Sequence, residues 1–259
     1  MLALAGVTPS PDWRLAAVLV VLVVFAVAAS LLGRLGVGRE HVTAACRAVV
    51  QLAVVSLVIA ATLRSLWWSL TFVAVMLIVA TGTSARRIGV PMGQAWWIGF
   101  AITAGAAPVV GLCLASGVIP LNGAGIIPIA GIVIGGAMTS ATLTGRRASD
   151  ELAAQQGAYE AGLAIGLQAV DAASLVVQPT AREGLTPGLD QTRTVGLVTL
   201  PGAFVGVLLG GGTPLEAGAA QVLVLIGLMA AQAITAALLL RQMAIGRVVR
   251  RDLALVHPR

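Results

Sequence analysis

The chain has 259 residues, 58% hydrophobic and only 10% charged, with a formal net charge of +6 and a mean hydropathy of +0.99. A soluble domain carries about 25% charged residues, so this composition cannot clothe a water-facing globule, and its main solvent must be lipid. All 16 basic residues are arginine, which excludes a phosphate-binding loop of the G-x-x-x-x-G-K-[ST] type, whose lysine reaches the phosphates, and with it ATP hydrolysis by that route.

Seven apolar stretches predict seven membrane-spanning helices. The first covers about residues 15–32, long enough for the hydrocarbon core of ~30 Å. The segment before it has no positive region, so it is expected to be retained rather than cleaved as a signal peptide. The second, about 42–62, contains Arg47, Gln51 and Cys46. Only Arg64 separates it from the third, about 66–83, which opens with Trp67 and Trp68. The fourth, about 95–119, opens with Trp96 and Trp97 and carries Pro108, an expected kink. The fifth covers about 126–143, the sixth about 194–209 with Leu200-Pro201-Gly202 inside it, and the seventh about 217–240. Cys46 and Cys113 lie inside spans with no partner at metal or redox spacing, and read as small apolar fillers.

Arginine follows spans one, three, five and seven, while the connections after two, four and six carry one Arg in total. Positive residues gather on the cytoplasmic side. That alternation predicts an N-terminus outside and a C-terminus in the cytoplasm. It also explains the basic balance without a nucleic-acid partner. The Trp pairs fit the interfacial aromatic belt. Between spans five and six lies one polar island, residues 146–191, with nine of the 26 charged residues. It is too long for a minimal connection and falls on the cytoplasmic side.

Few residues inside the spans could carry chemistry. No Asp or Glu lies well inside a predicted span, whereas a proton- or sodium-coupled carrier is expected to hold a carboxylate near the midplane. Metal-ligand and nucleophile-base groupings are absent from the pattern too. Arg47 sits about a turn from the cytoplasmic end, where it can snorkel or, with Gln51 at i+4 on the same face, contact an anion. Met138, Thr139 and Thr142 in span five could line a path, since Thr142 shares a face with each of the other two; hydroxyls in lipid more often bond to their own helix or to a neighbour. In span six, Thr199 lies beside the Leu200-Pro201-Gly202 break, tolerated where backbone is buried or faces a cavity, so Thr199, Pro201 and Gly202 could line a substrate path, with a simple kink as the other reading. The G-x-x-x-G of Gly131 and Gly135 reads as ordinary intramolecular packing.

Within the polar island the chain reads E-A-G-L-A-I-G from Glu160 to Gly166, then nine residues, then V-V-Q-P ending at Pro179. This resembles the coupling-loop motif of ABC-type permeases, which is E-A-A, three residues, G, nine residues, then I-x-L-P. Glu160, Ala161, Gly166 and Pro179 fall on it; Gly162, Val176 and Gln178 depart from it. Gly166 would permit a turn between two helices. The other reading is an amphipathic hairpin on the membrane surface. From span two onward the chain is similar to the FetB-type iron-export ABC permeases and their plant aluminium-tolerance relatives. The residues that carry this likeness are Arg47 with V-V-Q-L at 49–52, M-T-S at 138–140, Glu151-Leu152, the Glu160 motif, D-Q-T-R-T-V-G-L-V-T-L-P-G from Asp190 to Gly202, and G-x-x-P-L-E-A from Gly211 to Ala217, followed by Gln221.

The resemblance implies an all-α membrane protein, with residues 1–259 as one permease domain and 146–191 as its cytoplasmic coupling segment. It implies the membrane-spanning subunit of an ABC transporter in the plasma membrane, exporting iron or another metal. Its partners would be a separate cytoplasmic ATPase that binds the ATP and a second copy of this chain. The chain itself would hold no cofactor and would not be an enzyme. Kept open are a stand-alone secondary carrier or channel, and an ABC permease for a non-metal solute. No metal-contacting residue can be named.

Overall fold

The computed structural model describes residues 12–62 and 65–253. Arg64 and His257 lie outside the described residues. Ten α-helices and no strand occur among the residues described, and the chain divides into two compact units, one up to residue 64 and one from Ser65 onward.

The first unit is a helical hairpin. α1 (Trp13–Leu32) starts at Asp12, whose carboxylate accepts the Leu15 amide at 3.0 Å and so satisfies one of the orphan donors of the first turn. The chain reverses through Arg34 and Gly36, both with positive φ, and continues as α2 (Gly38–Thr62). Apolar side chains cover its outside, with Leu32 at 87% exposure and Leu57 at 80%. Such a surface needs lipid or another apolar partner around it.

The second unit holds the core. α3 (Leu66–Ile88) ends on Gly89, left-handed at φ +88°, as helix C-termini often do. A short turn at Met92–Gln94 leads to α4 (Ala95–Ala115), which continues through Pro108. α5 (Gly123–Ala154) is 32 residues long, about 48 Å. α10 (Pro214–Ala244) completes this core of four long helices. Small residues bring their backbones together. A Cβ at Gly105 of α4 would lie 2.5 Å from the Ala231 carbonyl oxygen of α10, and one at Gly145 of α5 would lie 2.5 Å from Ile88 Cδ1 of α3. In lipid, where apolar burial gains little, close approach of this kind supplies the packing energy.

Register follows from the contacts. Ser140 Oγ donates to the Gln232 carbonyl at 3.3 Å, and Gly136 lies against Leu228, so α5 and α10 run parallel. The chain between them must therefore travel back along the bundle. It does so in pieces: α6 (Gln156–Ala164), α7 (Ala169–Val177), a 3-10 turn at Gln178–Thr180, α8 (Ala181–Thr194), an irregular linker at residues 195–201, and α9 (Gly202–Leu209).

Here the structure corrects the expected sixth span. Residues 194–209 are not one helix. Pro201 forces extended backbone on the residue before it and cannot donate a helical bond. It is the N-cap of α9 rather than a kink inside a helix. α9 has eight residues, about 12 Å, less than half the ~30 Å of the hydrocarbon core. Among the described residues six helices, not seven, are long and apolar enough to cross a membrane: Trp13–Leu32, Gly38–Val58, Leu66–Ile88, Met92–Ala115, Gly123–Ala154 and Pro214–Ala244.

Candidate functional site

The polar island becomes the end of α5 followed by α6, α7 and α8. α6 and α7 form a hairpin that turns at Gly166, which has φ +94°, a conformation glycine adopts without cost. Tyr159 and Gly162 face inward and are buried, and a Cβ at Gly162 would lie 3.1 Å from Ala172 Cβ of α7. The outward face of α6 presents Gln156, Gly157, Glu160 and Ala161, all exposed, and Gln156 Nε2 donates to Glu160 Oε1 at 2.8 Å. Ile165 at the tip is 80% exposed. α7 carries the hairpin by burying Ala172, Ala173, Val176 and Val177. Pro179 lies in the turn at the far end of α7, about 13 Å from the Gly166 turn. The motif residues thus occupy one hairpin, with Glu160 and Ala161 on its free face and Gly162 in its seam.

The span-five residues separate. Thr142 is buried and bonded twice, donating to the Met138 carbonyl at 2.8 Å and sharing a 3.1 Å hydrogen bond with Ser84 Oγ of α3. Thr139 is exposed on another side and donates to its own helix at the Gly135 carbonyl, 3.0 Å away. Met138 packs against the core. These hydroxyls tie α5 to itself and to α3, and they form no common lining. In the linker, Thr199 is exposed and its carbonyl accepts the Gly196 amide at 2.9 Å. Gly202 is the first residue of α9. Arg47 and Gln51 lie in the first unit, both exposed on α2.

Two features carried no warning in the spans predicted. The first is α8, which packs on the long helices by its glycines. A Cβ at Gly184 would lie 2.0 Å from Thr144 Oγ1, and one at Gly188 would lie 1.9 Å from Gln232 Oε1. The signal was the small-x-x-x-small spacing, hidden in a stretch too polar to be read as membrane-embedded. The second is a strap formed by the residues after α10. The Val249 amide donates to Gln94 Oε1 at 3.0 Å, and the Arg251 amide to the Gly89 carbonyl at 3.3 Å. Arg250 pairs with Asp150 of α5 and, at 2.7 Å, with Asp252. Arg247 lies 4.1 Å over the Trp97 ring, which stacks on Trp96. The Arg250 guanidinium holds the Asp252 carboxyl below its usual value, and its carboxylate partners raise Arg250 in turn.

The motif shared by Gly211 to Ala217 has a local physical role. Thr213 and Glu216 form a reciprocal capping box, with the Thr213 amide donating to Glu216 at 2.7 Å and Pro214 in the first turn. This fixes where α10 begins. Gln221, four residues after Ala217 and part of the same resemblance, accepts the Phe204 amide at 3.2 Å and pins the start of α9 to α10. Among the described residues no three His, Cys, Asp or Glu side chains gather as a metal site.

The profile of the uncharacterised protein family UPF0014 matches residues 13–246. The chain belongs to the UPF0014 family. It is 35% identical to the UPF0014 membrane protein STAR2 of Oryza sativa subsp. japonica, over 83% of this chain and 76% of that one. It is 31% identical to Protein ALUMINUM SENSITIVE 3 of Arabidopsis thaliana, over 79% of this chain and 76% of that one. Against the "Probable iron export permease protein FetB" of Escherichia coli, identity is 29% over 80% of this chain and 81% of that one. These matches bear out the FetB-type resemblance drawn from the motifs. No solved structure matches the chain. With six apolar helices of spanning length and membrane-protein relatives, this UPF0014 protein is a multi-pass membrane protein.

Proposed function

We propose that this UPF0014 chain is the membrane-spanning subunit of an ATP-driven transporter in the plasma membrane, working with a second copy of itself and a separate cytoplasmic ATPase. The observation that carries this is α6. It is anchored on its inner side by Tyr159 and Gly162, while Glu160 and Ala161 of the coupling-type motif stay free for a partner groove. Both units are read as one permease domain, because the family match runs unbroken across the division at residue 64.

The orientation is argued from one end of the second unit. Arg86, Arg87, Arg146, Arg147, Arg247, Arg250 and Arg251 all lie at the end where α3 stops, α4 starts and α10 finishes. Positive residues of that density favour the cytoplasmic side. On this reading the α6–α7 hairpin meets the cytoplasm. Export of iron or another metal is the cargo suggested by the name of the Escherichia coli relative. A second reading, a stand-alone carrier, is favoured by the carboxylate Asp190 on α8, which packs against the long helices.

The deciding experiment joins both readings. A cysteine at Ala161, with the chain co-expressed beside a cytoplasmic ATPase, is expected to cross-link to that ATPase, and transport in reconstituted vesicles is expected to require ATP. Reaction of Ala161→Cys with periplasmic reagents alone would reverse the orientation. Transport by this chain without ATP would select the carrier instead.

A further inference from the structure

α8 combines a polar surface with a seat deep in the apolar bundle. Its inner face rests on Thr144 and Gln232 through Gly184 and Gly188. Its outer face carries Glu183, Thr186, Asp190 and Arg193, all exposed and three or four residues apart, so they form one stripe. Depth follows from α10. Gln232 lies 18 residues after Pro214 and 12 before Ala244, about 27 Å and 18 Å from the two ends of that helix. α8 runs antiparallel to α10, so Asp190 sits about 3 Å closer to the midpoint of α10 than Gly188 does, and Arg193, about 8 Å further along than Gly188, lies just beyond that midpoint.

A lipid interior accommodates neither exposed charges nor non-helical backbone. Both occur here in succession, because the stripe ends where the irregular linker at residues 195–201 begins. Asp190 and Arg193 face one another at 3.5 Å, so the stripe presents both signs of charge with a hydroxyl beside them. An apolar or lipid-like solute gains nothing from such a surface and would strip water from it.

We infer that α8 is one half of a broken crossing and that its polar face lines a water-filled path for a small charged or strongly polar solute, with the Asp190–Arg193 pair setting the charge at mid-depth. This rests on the transporter reading and assigns to it a lining helix that the predicted spans did not contain.

The test uses the full chain with Cys46→Ser and Cys113→Ser, in inside-out membrane vesicles. Single cysteines are placed at Thr186, at Asp190 and, as an outward apolar control, at Val222 of α10, which is 52% exposed. A charged, membrane-impermeant methanethiosulfonate is expected to label Thr186→Cys and Asp190→Cys about tenfold faster than Val222→Cys, and at Thr186→Cys to block ATP-driven iron(II) uptake by vesicles that also hold the ATPase. The seat of α8 is checked separately with Gly188→Cys combined with Gln232→Cys. A Cβ at Gly188 meets only the end of the Gln232 side chain, which the second substitution removes, so a short bifunctional thiol reagent should bridge the two. Labelling of positions 186 and 190 only by lipid-soluble reagents overturns the inference and leaves the transporter reading standing. So does failure of the 188–232 bridge in a variant that still unfolds cooperatively. If the labelling and the bridge both hold but vesicles with the ATPase move no iron(II) in the presence of ATP, the transporter reading falls and the hydrated face of α8 survives it.

Discussion

At the scale of the residue, glycines decide how close α8 comes to its neighbours. Gly184 meets Thr144 at its Oγ1, its Cβ and its backbone nitrogen, the last two at 3.1 Å from a would-be Cβ, whereas Gly188 meets only the end of the Gln232 side chain. A backbone cannot move aside as a side-chain amide can. Gly184→Ala is therefore expected to destabilise the protein by about 1–3 kcal/mol, the usual cost of overpacking, and Gly188→Ala by less. Adding Gln232→Ala should restore part of the loss at position 188 and none at 184. Thermal unfolding in detergent, comparing the two single variants with Gly188→Ala/Gln232→Ala, checks the order. The motif glycines were legible in the sequence because a turn such as Gly166 needs positive φ, and composition around it was polar. The α8 glycines were not, because charge in the same fourteen residues outweighed spacing. Thr139 and Thr142 illustrate a different limit. Periodicity places them on neighbouring positions of one helix, but only the packing of α3 reveals that one is buried against Ser84 and the other faces outward.

Among the elements, the strap after α10 ties three others together, since Gln94 belongs to the turn before α4, Gly89 ends α3 and Asp150 belongs to α5. Its ion pairs are partly exposed, so Arg250→Gln is expected to cost about 1 kcal/mol or less, read as a small drop in the unfolding midpoint. The pH dependence has a definite sign. Asp252 is held below its ordinary value of 3.8, so its contribution is complete above that value and is lost as pH falls through the lowered one. Acid titration followed by tryptophan fluorescence should therefore show a strap transition below pH 3.8 that Asp252→Asn lacks; the Trp96–Trp97 stack under Arg247 is the reporter. Long helices were readable from hydropathy alone, because length and apolarity define them. The α8–linker–α9 return was not, because half of it is polar and the other half is too short. Its presence follows only from α5 and α10 being parallel.

Across the whole molecule, the two units differ in what they offer their surroundings. The α1–α2 hairpin turns apolar side chains outward along its length, while the second unit buries an alanine- and glycine-rich core and concentrates its arginines at one end. Family membership and membrane character were legible in the motifs and composition, and the UPF0014 match agrees with both. The count of crossings needed the register of the helices. The polar seat of α8 also bears on how the protein is made. During synthesis a segment as polar as residues 181–194 has no reason to leave water by itself. Its partners Thr144 and Gln232 lie on either side of it in the chain, and Gln232 is synthesised last. On the proposed arrangement α8 waits in water until α10 has been inserted, then enters against a surface already in place. A ribosome-tethered chain long enough to free α8 from the exit tunnel while α10 is still inside it is expected to leave α8 open to protease, and one long enough to release α10 as well to protect it. The order of assembly would then run against the order of the sequence at this one point.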